Sequence, residues 1–406
     1  GTTIDKVDTN TTITGKSDKN TVTIKAENEN DKVEVKLEDV NIDASRLNKA
    51  AVSVTGKGDT NIELNGDNEL KGGDRHAGLE HNQTVDSEGN VTSGKLTIQD
   101  DKDNAGSLTA TGGYFGAGIG GGSKNAGQVT ITGGTITATS GDAAGIGGGQ
   151  GNMGSNAGNA DIEISGGTIE ATGGYTSAGI GGGCYGDATI KITGDAVIKN
   201  ATGGDFGAGI GGGGGGNGDV TISGNAKIEN AQGGFTGSGI GGGNGASGTV
   251  TIKDDSTVTA TGGEAGTGIG GGYAGLGDVT IEGNTTVNAT GGVGSAGIGG
   301  GADARNDKDG NGNQITIKGN ENGSPTVNAV GGGTNKENQV FIGGAGIGSG
   351  AGDAAAEITL EGKVTITATA GKDNVAIGAN GIEQEFSGLA EGSSITRYDS
   401  EGNNIT

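Results

Sequence analysis

The 406-residue chain has one cysteine (Cys184), one proline, no tryptophan, five tyrosines and five phenylalanines. A single cysteine excludes a disulfide framework and a thiolate metal cluster. A single proline excludes collagen, which needs abundant proline and glycine at every third position. Arginine occurs only at Arg46, Arg75, Arg305 and Arg397, and the net charge is −24. Nucleic acid and anionic membrane surfaces are therefore poor partners, because a phosphate backbone needs a stripe of lysine or arginine. No apolar run reaches the length of a membrane span, so no membrane insertion is expected. No signal peptide opens the chain. A start at Gly1 and an end in a strand-like pattern suggest a mature or trimmed part of a larger multidomain protein.

What the chain does have is 97 glycines. With the one proline they make up about 24 % of the residues, near the level at which disorder becomes the default reading. Apolar residues are 30 % and aromatics 2 %, too little bulk for a broad packed core. Either the chain is disordered or its core is thin and built by repetition.

Repetition is what the register shows. The segment Gly-Ile-Gly-Gly-Gly recurs around Ile119, Ile146, Ile180, Ile210, Ile240, Ile269 and Ile298, with looser copies at Ile347 and Ile377. The intervals are 27, 34, 30, 30, 29, 29, 49 and 30 residues. Two further segments lie between the copies in fixed order. One is Val-Thr-Ile, as at 129–131, 220–222, 250–252 and 279–281; the other resembles Thr-Ile-Thr-Ala-Thr-Gly-Gly, as at 168–174 and 257–263. Five repeats keep a 12-residue step from the glycine-flanked isoleucine to the end of the next Val-Thr-Ile, such as Ile210 to Ile222. The same step places Val52 in a glycine-rich slot, Ile62-Glu63-Leu64 in a Val-Thr-Ile slot, and Leu79 in the next glycine slot. Repeats with Ile198-Lys199-Asn200-Ala201 or Ile228-Glu229-Asn230-Ala231 carry one extra residue, as a β-bulge requires.

Each segment alternates apolar and polar residues over three to five positions, with glycine, asparagine and aspartate at the joints, which predicts short strands. Three strands per turn of about thirty residues predict an all-β fold, a right-handed parallel β-helix. Its coils number about twelve and, at about 4.8 Å each, form a rod somewhat under ~60 Å long. Residues 1–50 are expected as N-terminal capping coils, 51–382 as the glycine-rich repeats, and 383–406 as a C-terminal cap or the start of a following segment. The glycines are read either as turn and close-packing residues or as a flat, bare backbone face that admits a polymer.

Segment 21–98 runs Thr-Val-Thr-Ile, Val-Glu-Val-Lys-Leu-Glu-Asp-Val-Asn-Ile-Asp, Ala-Ala-Val-Ser-Val-Thr-Gly, Asn-Ile-Glu-Leu-Asn-Gly-Asp-Asn-Glu-Leu and Gly-Lys-Leu-Thr-Ile. It resembles the clostridial carbohydrate-binding β-helix family, whose fold is similar to that of the pectate lyases. The Gly-Ile-Gly-Gly-Gly repeats resemble those of large surface proteins of Firmicutes. The resemblance implies an extracellular, non-catalytic domain that binds acidic plant polysaccharide with calcium.

Several residues bear on function. Tyr114, Phe115, Tyr175, Phe206 and Phe235 recur four or five positions before the glycine-slot isoleucine. Stacked along one edge, they would offer sugar rings an aromatic platform; the alternative is a corner ladder that seals the core. Asp307, Asp309, Asn311 and Asn313, with Gly310 and Gly312 between them, follow the alternate-oxygen pattern of a calcium loop, although position twelve is Lys318. The alternative there is a plain polar loop. The turn Asp100-Asp101-Lys102-Asp103 and a row of Asp187, Asp219 and Asp278 are weaker cation candidates. Thr-x-Thr pairs evoke an ice-binding face, but Glu170, Lys199, Glu229 and Asn288 break the ladder. His76 and His81 share a loop with Arg75 and Glu80, and no hydrolase, P-loop or metalloprotease signature is present. The expectation is a protein that is not an enzyme. It would be secreted or cell-wall anchored and bind a polysaccharide or a host or plant glycan, with calcium as its one candidate cofactor. A rigid stalk and a polysaccharide lyase are the alternatives.

Overall fold

A computed structural model of the chain describes residues 1–5, 10–101, 105–152, 158–333 and 342–406. Among them every regular element is a strand. The strands build a right-handed parallel β-helix with three faces.

The first face is the ladder of glycine-slot rungs. It starts at Thr2–Asp5, Val22–Ala26 and Val52–Gly56, and continues through two-residue Ile-Gly rungs to Ile347–Gly348 and Ile377–Ala379. Each isoleucine sits over the next: Ile119 over Ile146, then Ile180, Ile210, Ile240, Ile269, Ile298, Ile347 and Ile377. The second face carries the Val-Thr-Ile strands and the third the Thr-Ile-Thr-Ala-Thr strands. The strand Lys32–Asp43 serves both, pairing first with Asp59–Asn65 and then with Asp67–Lys71. It turns the corner at Asp39, whose φ is 51°.

The interior is a single column of Ile, Val, Leu and Ala from Ile4 to Ile377. The stacked isoleucines of the glycine face are fully buried, each contributing about 1.5–3 kcal/mol. A column three strands around has no room for large rings, which accounts for the scarcity of aromatics. The extra residues of the third face are bulges: the register slips between Ile169 and Glu170, and again between Ile228 and Ala231.

One expectation requires correction. Leu64 is not the counterpart of Ile131. Ile131 pairs with Ile98, and Ile98 with Ile62, so the slot is Thr60-Asn61-Ile62. A slip of two residues preserves the inward face, because the side-chain period of a strand is two; the pattern alone could not reveal it. Of the two readings of the glycines, turn and close packing is the one that holds. Gly116 to Gly122, and the matching segments of later coils, are buried rather than bare. The turns on either side of each Ile-Gly rung are tied together over it. The carbonyls of Phe115, Thr176, Phe206 and Thr236 accept backbone hydrogen bonds from Gln150, Gly214, Asn244 and Tyr273 at 3.0, 2.7, 2.8 and 2.8 Å.

The rungs themselves demand glycine. Gly211 has φ +144°, and a Cβ there would run into the carbonyl oxygen of Gly241 in the next coil. The same relation links Gly120 to Gly147, Gly181 to Gly211, Gly241 to Gly270 and Gly299 to Gly348.

After Ile377–Ala379 the ladder closes with an antiparallel strand, Ile382–Glu383, while Ser394–Tyr398 adds a last rung to the third face.

Candidate functional site

The turn before each glycine rung is a ladder in its own right. In four coils the backbone N–H of the residue four before the isoleucine donates to the carbonyl of the fifth-before residue one coil earlier, and in the coil of Ile180 Tyr175 itself donates to the Gly141 carbonyl at 3.4 Å. Phe115 donates to Asp74, Phe206 to Tyr175, Thr236 to Asp205 and Ala265 to Phe235, at 2.8, 3.2, 2.9 and 2.9 Å. The fifth-before positions therefore follow one another from coil to coil along the rod: Asp74, Tyr114, Gly141, Tyr175, Asp205, Phe235 and Glu264.

Within this column the aromatic residues stand outside the core. Tyr114, Tyr175 and Phe235 are 55, 54 and 53 % exposed, so these three do not seal the interior. Phe115 and Phe206 are half-buried and buttress two of them edge-to-face. The centroids of Tyr114 and Phe115 lie 4.8 Å apart at 90°, and those of Tyr175 and Phe206 5.1 Å apart at 88°, the favoured geometry for aromatic pairs. Gly141 leaves room for Tyr114: a Cβ on it would approach the Tyr114 ring to 3.1 Å. The five aromatics singled out in the sequence thus share one edge, with three rings outward and two supporting. The turn after the rung bears further aromatics that the sequence reading missed. Tyr185 is exposed, and the Tyr273 hydroxyl donates to the Asp303 carboxylate at 3.4 Å. Their offset, five and four residues after Ile180 and Ile269, was the signal available.

The loop around Asp307 has a specific local geometry. One Asp307 carboxylate oxygen accepts the N–H groups of Asp309 and Asn311 at 2.9 Å each, and the other accepts the Asn311 side-chain amide at 3.1 Å. Asn313 is turned inward and fully buried; its Oδ1 accepts the Gly277 N–H and its Nδ2 donates to the Ala355 carbonyl. The sequence Asp-x-x-Gly-Asn occurs twice more, at Asp86–Asn90 and Asp399–Asn403, with the same set of side-chain bonds. Gly89, Gly310 and Gly402 have φ +86°, +86° and +84°. The pattern closes a tight turn, and the Asn hydrogen bond holds each of the three aspartate carboxyls below its usual range. Among the described residues no three His, Cys, Asp or Glu side chains converge as a metal cage. Of the four residues Asp307 and Asp309 are exposed, while the Asn311 amide is engaged by Asp307 and Asn313 is buried.

The remaining candidates separate. Asp187 lies at a corner, where its carboxylate accepts the Asn217 N–H at 2.7 Å, while Asn159 and Asn217 make the equivalent bonds one coil away on either side. Asp219 and Asp278 instead lie on strands, both paired with Thr249, so the three aspartates form no common row. Lys102 and Asp103 lie outside the described residues. The threonine ladder is interrupted where Thr137 faces Glu170. His76 Nδ1 lies 2.8 Å from the Glu80 carboxylate. His81 is buried and donates from Nδ1 to the Gln128 carbonyl, and burial holds its imidazole below the usual pKa. Burial raises the Cys184 thiol. Among the described residues no helix is long and apolar enough to cross a membrane.

A family model described as a beta helix repeat matches residues 104–123, 129–150, 162–184, 250–273 and 279–302. Each matched segment contains one Ile-Gly rung, around Ile119, Ile146, Ile180, Ile269 and Ile298. No curated protein and no solved structure matches the chain.

Proposed function

We propose that the protein is a non-catalytic, secreted or cell-wall-anchored surface domain that binds carbohydrate in adhesion. The observation that carries this reading is the column of outward rings at Tyr114, Tyr175 and Phe235, held in line by the hydrogen-bonded turn ladder. Exposed aromatic faces fixed on a rigid scaffold suit the apolar faces of sugar rings, and little entropy is lost on binding. The resemblance of residues 21–98 to the clostridial carbohydrate-binding family points the same way. A non-catalytic role draws on the burial of His81, which takes one of the two histidines of that loop out of reach of a substrate. With a net charge of −24, an acidic polysaccharide would approach only through bound cations, and Asp307 with Asp309 is the pair that calcium would bridge.

A glycan array probed with and without a chelator tests the proposal. Binding that weakens about tenfold in Tyr175→Ala or Phe206→Ala, the scale expected for one ring, supports it. Absence of binding to every glycan overturns it in favour of a rigid stalk. The stalk reading draws on the unbroken core column from Ile4 to Ile377. Cleavage of polygalacturonate would overturn both in favour of a polysaccharide lyase.

A further inference from the structure

The exposed rings do not occur in every coil. Between Tyr114 and Tyr175 the column carries Gly141, and between Tyr175 and Phe235 it carries Asp205; beyond Phe235 comes Glu264. Asp205 and Glu264 are exposed, like the rings they adjoin. The register of Ile119, Ile146, Ile180, Ile210 and Ile240 makes each a single-coil step. Consecutive exposed rings are therefore two coils apart, about 9.6 Å at a parallel-strand spacing of about 4.8 Å. The three rings thus span four coils, about 19 Å.

We infer that Tyr114, Tyr175 and Phe235 are three consecutive stacking subsites for one extended β-linked polysaccharide lying along the rod, with one disaccharide repeat spanning two coils. This rests on the carbohydrate-binding reading and narrows it. In an extended β-linked chain alternate sugars present the same face, so identical faces recur once per disaccharide, a length comparable to the two-coil step. A ladder with a ring in every coil would place neighbouring rings a single strand spacing apart and would match no such period. Charge adds the second element of specificity. The spacer positions next to the rings are Gly141, Asp205 and Glu264, with Asp74 below Tyr114, so the column holds three carboxylates and no cationic side chain. A uronic acid polymer laid on it would set like charges side by side, whereas a neutral or amino-sugar polymer would not. Polymers of glucose or glucosamine are the class that fits.

The experiment uses the full chain and three probes: β-1,4-linked glucose oligomers, β-1,4-linked glucosamine oligomers and oligogalacturonate, each from two to eight sugars. Titration calorimetry is expected to show affinity rising as the chain lengthens from two to six sugars, and no binding of oligogalacturonate in chelator. The decisive variant is Tyr175→Ala combined with Asp205→Tyr, which keeps three exposed rings but moves the middle one by one coil. Its binding of the hexamer is expected to fall about tenfold, as far as that of Tyr175→Ala alone. Phe235→Ala, at the end of the row, is expected to remove the gain from four to six sugars. Circular dichroism confirms that each variant is folded. Hexamer binding by the shifted variant equal to that of the native protein would overturn the two-coil period while leaving carbohydrate binding intact. Preferred binding of oligogalacturonate in chelator would overturn the charge assignment. Failure of the native protein to bind any of these sugars or an arrayed glycan would remove the function itself.

Discussion

The Nε of Arg397 lies 3.0 Å from the carboxylate of Glu383, and the arginine side chain is only 9 % exposed. The pair sits where the ladder of glycine rungs ends. The same carboxylate accepts the N–H groups of Ala376 and Ile377 at 3.0 and 2.8 Å, which would otherwise face an absent next coil. Glu80 plays a related part near the other end of the glycine repeats, accepting the Ala77 N–H at 3.1 Å. Solenoids need such caps, because an open ladder edge exposes unpaired backbone. Replacing Glu383 with alanine leaves two N–H groups without their acceptor and takes the nearest carboxylate away from a buried guanidinium. The expected loss is about 1.5–3 kcal/mol in the last coils, read as faster hydrogen exchange at Ala376 and Ile377 while Ile210 and Ile240 keep their protection. Unchanged exchange at Ala376 would show that the cap lies elsewhere.

Gly211→Ala tests the requirement for glycine against a built-in control. At Gly211 the new methyl group meets the Gly241 carbonyl and the backbone has φ +144°; at Gly245 φ is +73° but the space around it is open. Gly245→Ala is expected to cost only the backbone strain, about 1–2 kcal/mol. Gly211→Ala adds displacement of a neighbouring coil and is expected to cost at least about 3 kcal/mol in all. Urea unfolding midpoints compare the two, and equal shifts would refute steric stacking as the reason for the glycine.

His81 predicts the direction of an acid effect. Its folded pKa is depressed because burial disfavours the charged ring, so below about 6.5 the unfolded chain binds a proton that the folded chain does not. The stabilisation is complete above that pH and declines as the pH falls toward the folded pKa, by at most about 1.4 kcal/mol per unit. His81→Gln is expected to flatten this part of the stability profile between pH 7 and 5. An identical slope in the variant would assign the effect to other groups.

The three Asp-x-x-Gly-Asn turns allow a titration with internal controls. Asn311→Ala removes the hydrogen bond that chiefly lowers the Asp307 pKa, so Asp307 is expected to titrate nearer the ordinary aspartate range. Asp86 and Asp399 keep their Asn90 and Asn403 partners and are expected not to move. Because each folded pKa is depressed, the turns are tightest above the unfolded aspartate pKa and loosen as the pH falls through the folded value. Carboxyl carbon NMR against pH measures all three together. Calcium bound at Asp307 would appear as a further fall of its midpoint on adding the ion.

Much of the fold is legible in the sequence, because a solenoid writes its period into the chain. The isoleucine interval gave the coil, the alternation gave the strands, and the extra residue near Lys199 gave the bulge that the register between Ile169 and Glu170 displays. The aromatic candidates were legible for the same reason: a fixed offset from a repeated isoleucine becomes a column in space. The Asp307 loop was less legible, because its oxygen spacing serves a turn as well as it serves a cation, and only the structure shows that Asn311 closes the turn while Asn313 faces inward. The aspartate row misled by offset, since Asp187 is seven residues after its isoleucine and Asp219 is nine after its own.

The sequence by itself determined the thirty-residue coil, the three short strands and the identity of the buried column, all of which follow from local periodicity and side-chain size. Only the tertiary structure decided where the glycines face. Their burial depends on turns from neighbouring coils joining over the rung, and on carbonyl oxygens one coil away occupying the space of a side chain. Those contacts join residues about thirty positions apart, and no pattern within a single repeat contains them.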